Sequence, residues 1–150
     1  MAAPSAITFF QSFREYIADG TFDLNSNTIK ASLHTSSLTP DAATDTVLAD
    51  LGSEVANGNG YTTGGNTLAS VVWTRTGATV KFDAADTAWT GATAGFTARY
   101  LALYASGTLN GRVNPLIGYM LLDSAPADVS FAVGNTVTVQ WNAAGIFTLS

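Results

Sequence analysis

Few side chains of this 150-residue sequence could do chemistry, and their spacing decides most of the cases. His34 is the single histidine. A Ser–His–Asp hydrolase needs that base held by a carboxylate and set against a nucleophile, and no G-x-S-x-G elbow accompanies it. Its alternation with Ala31 and Leu33 puts it on the wet side of a strand, so a solvated surface histidine is expected. Asp41 with Asp45, and Asp83 with Asp86, are the carboxylate pairs that could bind a hard cation or act as acid and base. DAATD and DAAD lack the alternating oxygen ligands and fixed bidentate acid of a calcium loop, and no acid is marked as half of a glycosidase pair. Turn-forming aspartates, whose oxygens satisfy backbone N–H groups where strands end, are the simpler reading.

The glycines of GNGYTTGG invite comparison with a phosphate loop, but the Lys of G-x-x-x-x-G-K-[ST] is missing and a strand follows. Gly60, Gly64 and Gly65 instead read as left-handed or tightly turning backbone, with Tyr61 as a partly buried anchor. Three tryptophans, Trp73, Trp89 and Trp141, could stack on sugars. Trp141 shares a face with Val137 and Val139 and reads as core, whereas Trp89, within AADTAWTGAT, reads as exposed or interfacial. No cysteine is present, which excludes a disulfide framework and a thiolate metal site.

These residues must be positioned by β-structure. Charged residues make up only 11% of the chain, against roughly 25% in ordinary globular proteins, and Thr, Ser, Asn and Gly supply the polarity. Net charge is −5 and the six Lys and Arg are scattered, so direct nucleic-acid binding is not expected. The N-terminus lacks a basic segment followed by an apolar run, and no stretch is long enough to span a membrane as a helix. Residues 7–19 read as an amphipathic helix, with Thr8 and Gln11 in capping-box spacing and Gly20 as the stop. Its aromatic residues close the core in one reading and dock on a partner in another. From Thr28 the period becomes two, predicting a strand to His34. Residues 35–65 are too long and polar for an ordinary connection and are expected to run over the surface, with a helical turn or edge strand at 47–51. Strands are predicted at 68–74, 79–83, 96–104, 116–122, 136–141 and 146–149, with tight hairpin turns at 75–77 and 143–145. The segments 96–104 and 116–122 are apolar on both faces and should be central. Residues 1–150 therefore predict one mainly β domain: an antiparallel β-sandwich, or a jelly roll or barrel, with one short N-terminal helix.

In order along the chain stand a Phe-rich helix ending in DG, then TFDLNSNTIKASL, GNGYTTGGNTL, FDAADTAWT, ARYLALY, NPLIGY and VQWNAAGIFTL. This ordered set resembles a family of small virion structural proteins of tailed bacteriophages, over nearly the whole chain. The resemblance implies a β-rich particle component without a catalytic residue set. A capsid decoration or cement protein is the expectation: self-associating, attached to the outer capsid surface of the virion, and bridging major capsid subunits or other virion proteins after synthesis in the host cytoplasm. A tail, fibre or baseplate component is the alternative, and a glycan-binding module resting on Trp89 and the acids is a further one. No cofactor or metal is expected. Phe9, Phe10, Tyr61 and Trp89 are the candidate contact residues, with residues 35–65 as the contacting segment.

Overall fold

The computed structural model describes residues 3–150. The chain opens with a two-residue strand, β1 (Thr8–Phe9), and a helix, α1 (Gln11–Ala18). The helix starts later than its apolar spacing suggests because Thr8 and Phe9 pair with Tyr119 and Gly118 of a later strand. Phe10 is the extended N-cap and no side chain caps the helix, so the Thr8/Gln11 capping box does not form. Phe13 and Tyr16 are buried, and Phe13 packs against Phe9, Phe22 and Phe147 at ring separations of 5.2–5.7 Å. Arg112 ties the last turn down. Its guanidinium lies 4.1 Å over the Tyr16 ring and 3.3 Å from Asp19.

The remaining elements are β2 (Ile29–His34), α2 (Leu48–Leu51), β3 (Asn66–Thr67), β4 (Val72–Thr76), β5 (Thr79–Asp83), β6 (Thr87–Thr90), β7 (Phe96–Ala98), β8 (Tyr100–Ala105), β9 (Thr108–Leu109), β10 (Arg112–Val113), β11 (Leu116–Leu121), β12 (Val129–Phe131), β13 (Thr136–Val139) and β14 (Phe147–Leu149). They form a β-sandwich with antiparallel pairing throughout the named strands. One five-stranded sheet has the order β1-β11-β8-β2-β3. Against it lie a three-stranded sheet, β14-β5-β4, and the ribbons β13-β6 and β12-β7, while β9 and β10 form a separate small hairpin. The main core takes Ile29, Ala31 and Leu33 from β2 and Leu101, Leu103 and Ala105 from β8. Phe82, Trp89, Phe131, Val139 and Phe147 meet them from the opposing strands.

Central placement of the two all-apolar segments follows from their burial on both faces. β8 and β11 are two of the three inner strands of the large sheet, and nine of their twelve residues are buried. FTARYLALY is nevertheless two strands. Arg99 breaks it, so that β7 pairs with β12 while β8 pairs with β2 and β11. The Arg99 guanidinium turns outward to Asp128, 2.8 Å away, while its backbone donates to His34 and accepts from Leu122. One apolar run thus serves two sheets.

Three local readings are corrected. The segment 87–90, read as loop, is a strand whose Thr87 and Trp89 point inward and alternate with exposed Ala88 and Thr90. The first hairpin turn sits at Gly77–Ala78, because Thr76 is still paired with Thr79. Residues 142–145 close a turn through the Gly145 N–H and the Asn142 carbonyl at 2.7 Å, but the turn carries the chain from β13 in one sheet to β14 in another and makes no hairpin.

Residues 35–65 do more than cross the surface. Leu38 and Leu51, with Leu48 beside them, join Phe10, Ala102, Tyr104 and Leu116 in a second apolar cluster on the opposite face of the large sheet. Val55 and Tyr61 join the main core. The segment is therefore laid down over the sheet and anchored there, and the face of β2 carrying Lys30, Ser32 and His34 is largely roofed.

Candidate functional site

Beneath that roof lies a buried polar network. His34 is 1% exposed and Ser32 is fully buried, which overturns the expectation of a solvated surface histidine. Strand alternation does place both residues on the face away from the main core. That face is dry because residues 47–54 cover it. His34 Nδ1 lies 2.8 Å from the Gly52 carbonyl oxygen. A carbonyl only accepts, so Nδ1 carries the proton and Nε2 accepts from the Ser32 hydroxyl at 2.9 Å. Burial holds the His34 pKa below its ordinary value of 6.5, opposed in part by the Gly52 hydrogen bond and the Glu54 charge.

A second group adjoins it. Glu54 Oε1 accepts both the Tyr61 hydroxyl and the Gly64 N–H at 2.6 Å. The same Tyr61 oxygen accepts the Leu33 N–H at 3.0 Å, so one phenol links β2 to the 54–64 segment. Tyr104 donates to the Gly64 carbonyl at 2.7 Å. Burial, followed by the Glu54 charge, pushes the Tyr104 pKa up to about 12, and burial together with the Glu54 hydrogen bond pushes Tyr61 higher still. Both phenols stay protonated and act as fixed donors.

Glycine is required where this segment returns to the sheet. A Cβ on Gly65 would stand 1.9 Å from the Ala31 carbonyl oxygen, and one on Gly60 would stand 2.0 Å from that of Thr90. Both have positive φ, at +69° and +98°. The glycines of GNGYTTGG thus serve close backbone approach, and Tyr61, 2% exposed, is the anchor between them.

The Ser32–His34 contact has the spacing of a nucleophile and its base, but the orienting group is a neutral carbonyl and the Ser32 Oγ is closed off from any substrate carbonyl. The pair works as a clasp. A cleft of about 460 Å³ opens beside it, with His34, Leu48, Gly52, Glu54 and Val113 in its walls. Among the described residues no three His, Cys, Asp or Glu side chains converge as a metal site. The candidate acids are turn formers. Asp41 accepts the Ala43 N–H and Asp45 accepts the Asp41 N–H. Asp83 binds Lys81 and the Ala84 N–H, and Asp86 accepts the Trp141 N–H.

The four candidate contact residues are occupied within the fold. Phe9 is half-buried, stacked on Phe13 and edge-on to Phe147 at 5.0 Å. Phe10 is fully buried beside Tyr119, Tyr61 is held as described, and Trp89 is 3% exposed against Phe131. Trp89 is therefore neither exposed nor placed to stack on a sugar, which removes one of the two motives for a glycan site, the other being the acids. Ser32, Glu54 and Tyr104 escape sequence reasoning. Ser32 is marked only by sharing a strand face with His34, and nothing local marks Glu54 or Tyr104. Among the described residues no helix is long and apolar enough to cross a membrane. No protein family, curated protein or solved structure matches this chain.

Proposed function

We propose that this chain is a bacteriophage virion structural protein, a capsid decoration or cement protein that bridges major capsid subunits on the outer surface of the head. What carries the reading is the treatment of residues 35–65. A long, polar segment, acidic through Asp41, Asp45, Asp50 and Glu54 and without a Lys or Arg, is pinned over the large sheet by Leu38, Leu51, Val55 and Tyr61, which leaves its polar residues as a shaped surface. The side chains best suited to acid–base or metal chemistry are engaged with the chain's own backbone, as expected of a scaffold whose work is contact. The ordered resemblance of its segments to phage particle proteins supports the same reading. A pinned segment meets a partner without first losing conformational entropy, and about 800 Å² per partner suffices for specific attachment.

Purified protein added to expanded, undecorated shells tests this. Stoichiometric binding and a raised shell melting temperature are expected. Absence of binding, with the protein found in tails of the intact particle, would overturn it in favour of a tail, fibre or baseplate role.

A further inference from the structure

We propose that β4 is a self-pairing edge through which two copies join their three-stranded sheets into one six-stranded sheet, with a two-fold axis at Thr74. The inference rests on the self-association expected of such a particle component and does not depend on where in a particle the protein sits. Exposed sheet edges are normally blunted by brevity, charged side chains, proline or a bulge. β4 has no proline and no bulge, and its one charge, Arg75, is the group that the self-pairing places beside an indole. It is five residues long, whereas the other marginal strands have two to four, and its register with β5 runs unbroken from Val72↔Asp83 to Thr76↔Thr79. Four of its five residues are exposed, the exception being half-buried Trp73.

The direction of its backbone groups follows from the hairpin. Thr76 and Thr79 flank a two-residue turn and so form a hydrogen-bonded pair, which makes Thr74 and Val72 the next residues bonded to β5. Trp73 and Arg75 then point their N–H and C=O away from β5. The Phe82 carbonyl, opposite Trp73, confirms the phase by accepting from Ile146 on the β14 side at 2.8 Å. The outward groups of Trp73 and Arg75 have no backbone partner among the described residues.

These groups are self-complementary. A two-fold through Thr74 overlays all five residues of β4 on those of its copy, setting Trp73 against the partner's Arg75 and Arg75 against the partner's Trp73. Each pairing brings outward-facing N–H and C=O groups together, giving four backbone hydrogen bonds. Directly opposed residues share a sheet face, so each guanidinium lies beside an indole, where cation–π attraction favours it, and the two Arg75 charges do not oppose each other. Thr74 meets its own copy in the non-hydrogen-bonded pair, the closer of the two spacings.

Light scattering of the purified chain across a concentration series is expected to show a monomer–dimer equilibrium. Arg75→Pro removes two of the four hydrogen bonds by symmetry but none within the hairpin, and should raise the dissociation concentration by about tenfold or more. A Thr74→Cys variant, in a chain with no other cysteine, should form a disulfide dimer at least about tenfold faster than Thr76→Cys, whose opposite residue would be the partner's Val72. Because the cysteine comparison uses exposed positions, it decides the matter even if Arg75→Pro fails to fold. A wild-type chain that stays monomeric, or equal cross-linking of the two cysteine variants, overturns the proposal. Shell binding by a monomer would leave the capsid reading intact, and a Thr74-linked dimer that binds no shell would refute only that reading.

Discussion

The Tyr61 hydroxyl stands between Leu33 and Glu54, accepting the β2 backbone N–H at 3.0 Å and donating to the carboxylate at 2.6 Å. It is the polar pin of the 35–65 segment. Tyr61→Phe keeps the ring in place but leaves a buried N–H and a carboxylate oxygen short of a partner. A loss of about 1–3 kcal/mol is expected in urea unfolding, with the m-value unchanged. Leu33 is fully buried, so water cannot replace the lost acceptor without opening the segment.

Stability should fall as pH drops below 6.5. Burial lowers the folded-state pKa of His34 from that value, so the unfolded chain binds the proton first and its contribution is lost between the unfolded and the lower folded pKa. Above 6.5 the contribution is complete. Asp19, Asp23, Asp41 and Asp50 have pKa values lowered from 3.8 by hydrogen bonds, and their contributions disappear only in more acid solution. Since His34 is the single histidine, thermal melts at pH 8 and pH 5.5 isolate it. His34→Gln should flatten the difference; an unchanged slope would assign it elsewhere.

What could be read from sequence was the periodic part. Val80 and Phe82, Val137 and Val139, and the double-sided apolar runs of β8 and β11 announce strands because their burial pattern is written in side-chain type. His34 shows the limit of this reasoning. Alternation identifies its face correctly, but whether that face is wet depends on residues 47–54, which are distant in sequence and whose anchors, Leu48 and Leu51, are too few to give a period. Trp89 fails for a related reason. Thr87 is an inward residue with a polar name, so the alternation of β6 is hidden. Arg99, a single charge within an apolar run, marks the division of FTARYLALY between two sheets only once the partners of both halves are known.

Trp89 tests the corrected burial. Its ring packs edge-on against Phe131 at 6.4 Å and lies opposite Val137. Trp89→Ala should cost about 3–5 kcal/mol, as large truncations in cores do, and lower the melting temperature sharply. An exposed tryptophan would change stability by no more than about 0.5 kcal/mol. Asp86→Ala, which removes the acceptor of the Trp141 N–H at an exposed site, should be much milder.

Gly65 separates two costs that are usually mixed. Gly20 and Gly65 both have positive φ, at +79° and +69°, so alanine pays a similar backbone penalty at each, about 1 kcal/mol. At Gly20 a new methyl meets nothing within 4 Å; at Gly65 it would stand 1.9 Å from the Ala31 carbonyl oxygen. Relief cannot come from a side-chain rotation, because the obstacle is the backbone of β2. The 62–65 turn would have to lift, straining the Gly64 N–H bond to Glu54 and the Tyr104 bond to the Gly64 carbonyl. Gly65→Ala should therefore cost at least about 2 kcal/mol more than Gly20→Ala. Hydrogen exchange should show the loss first at the Gly64 amide and at the Leu33 amide held by Tyr61, while α1 is spared. Equal destabilisation by the two substitutions would mean that residues 62–65 are not held against β2.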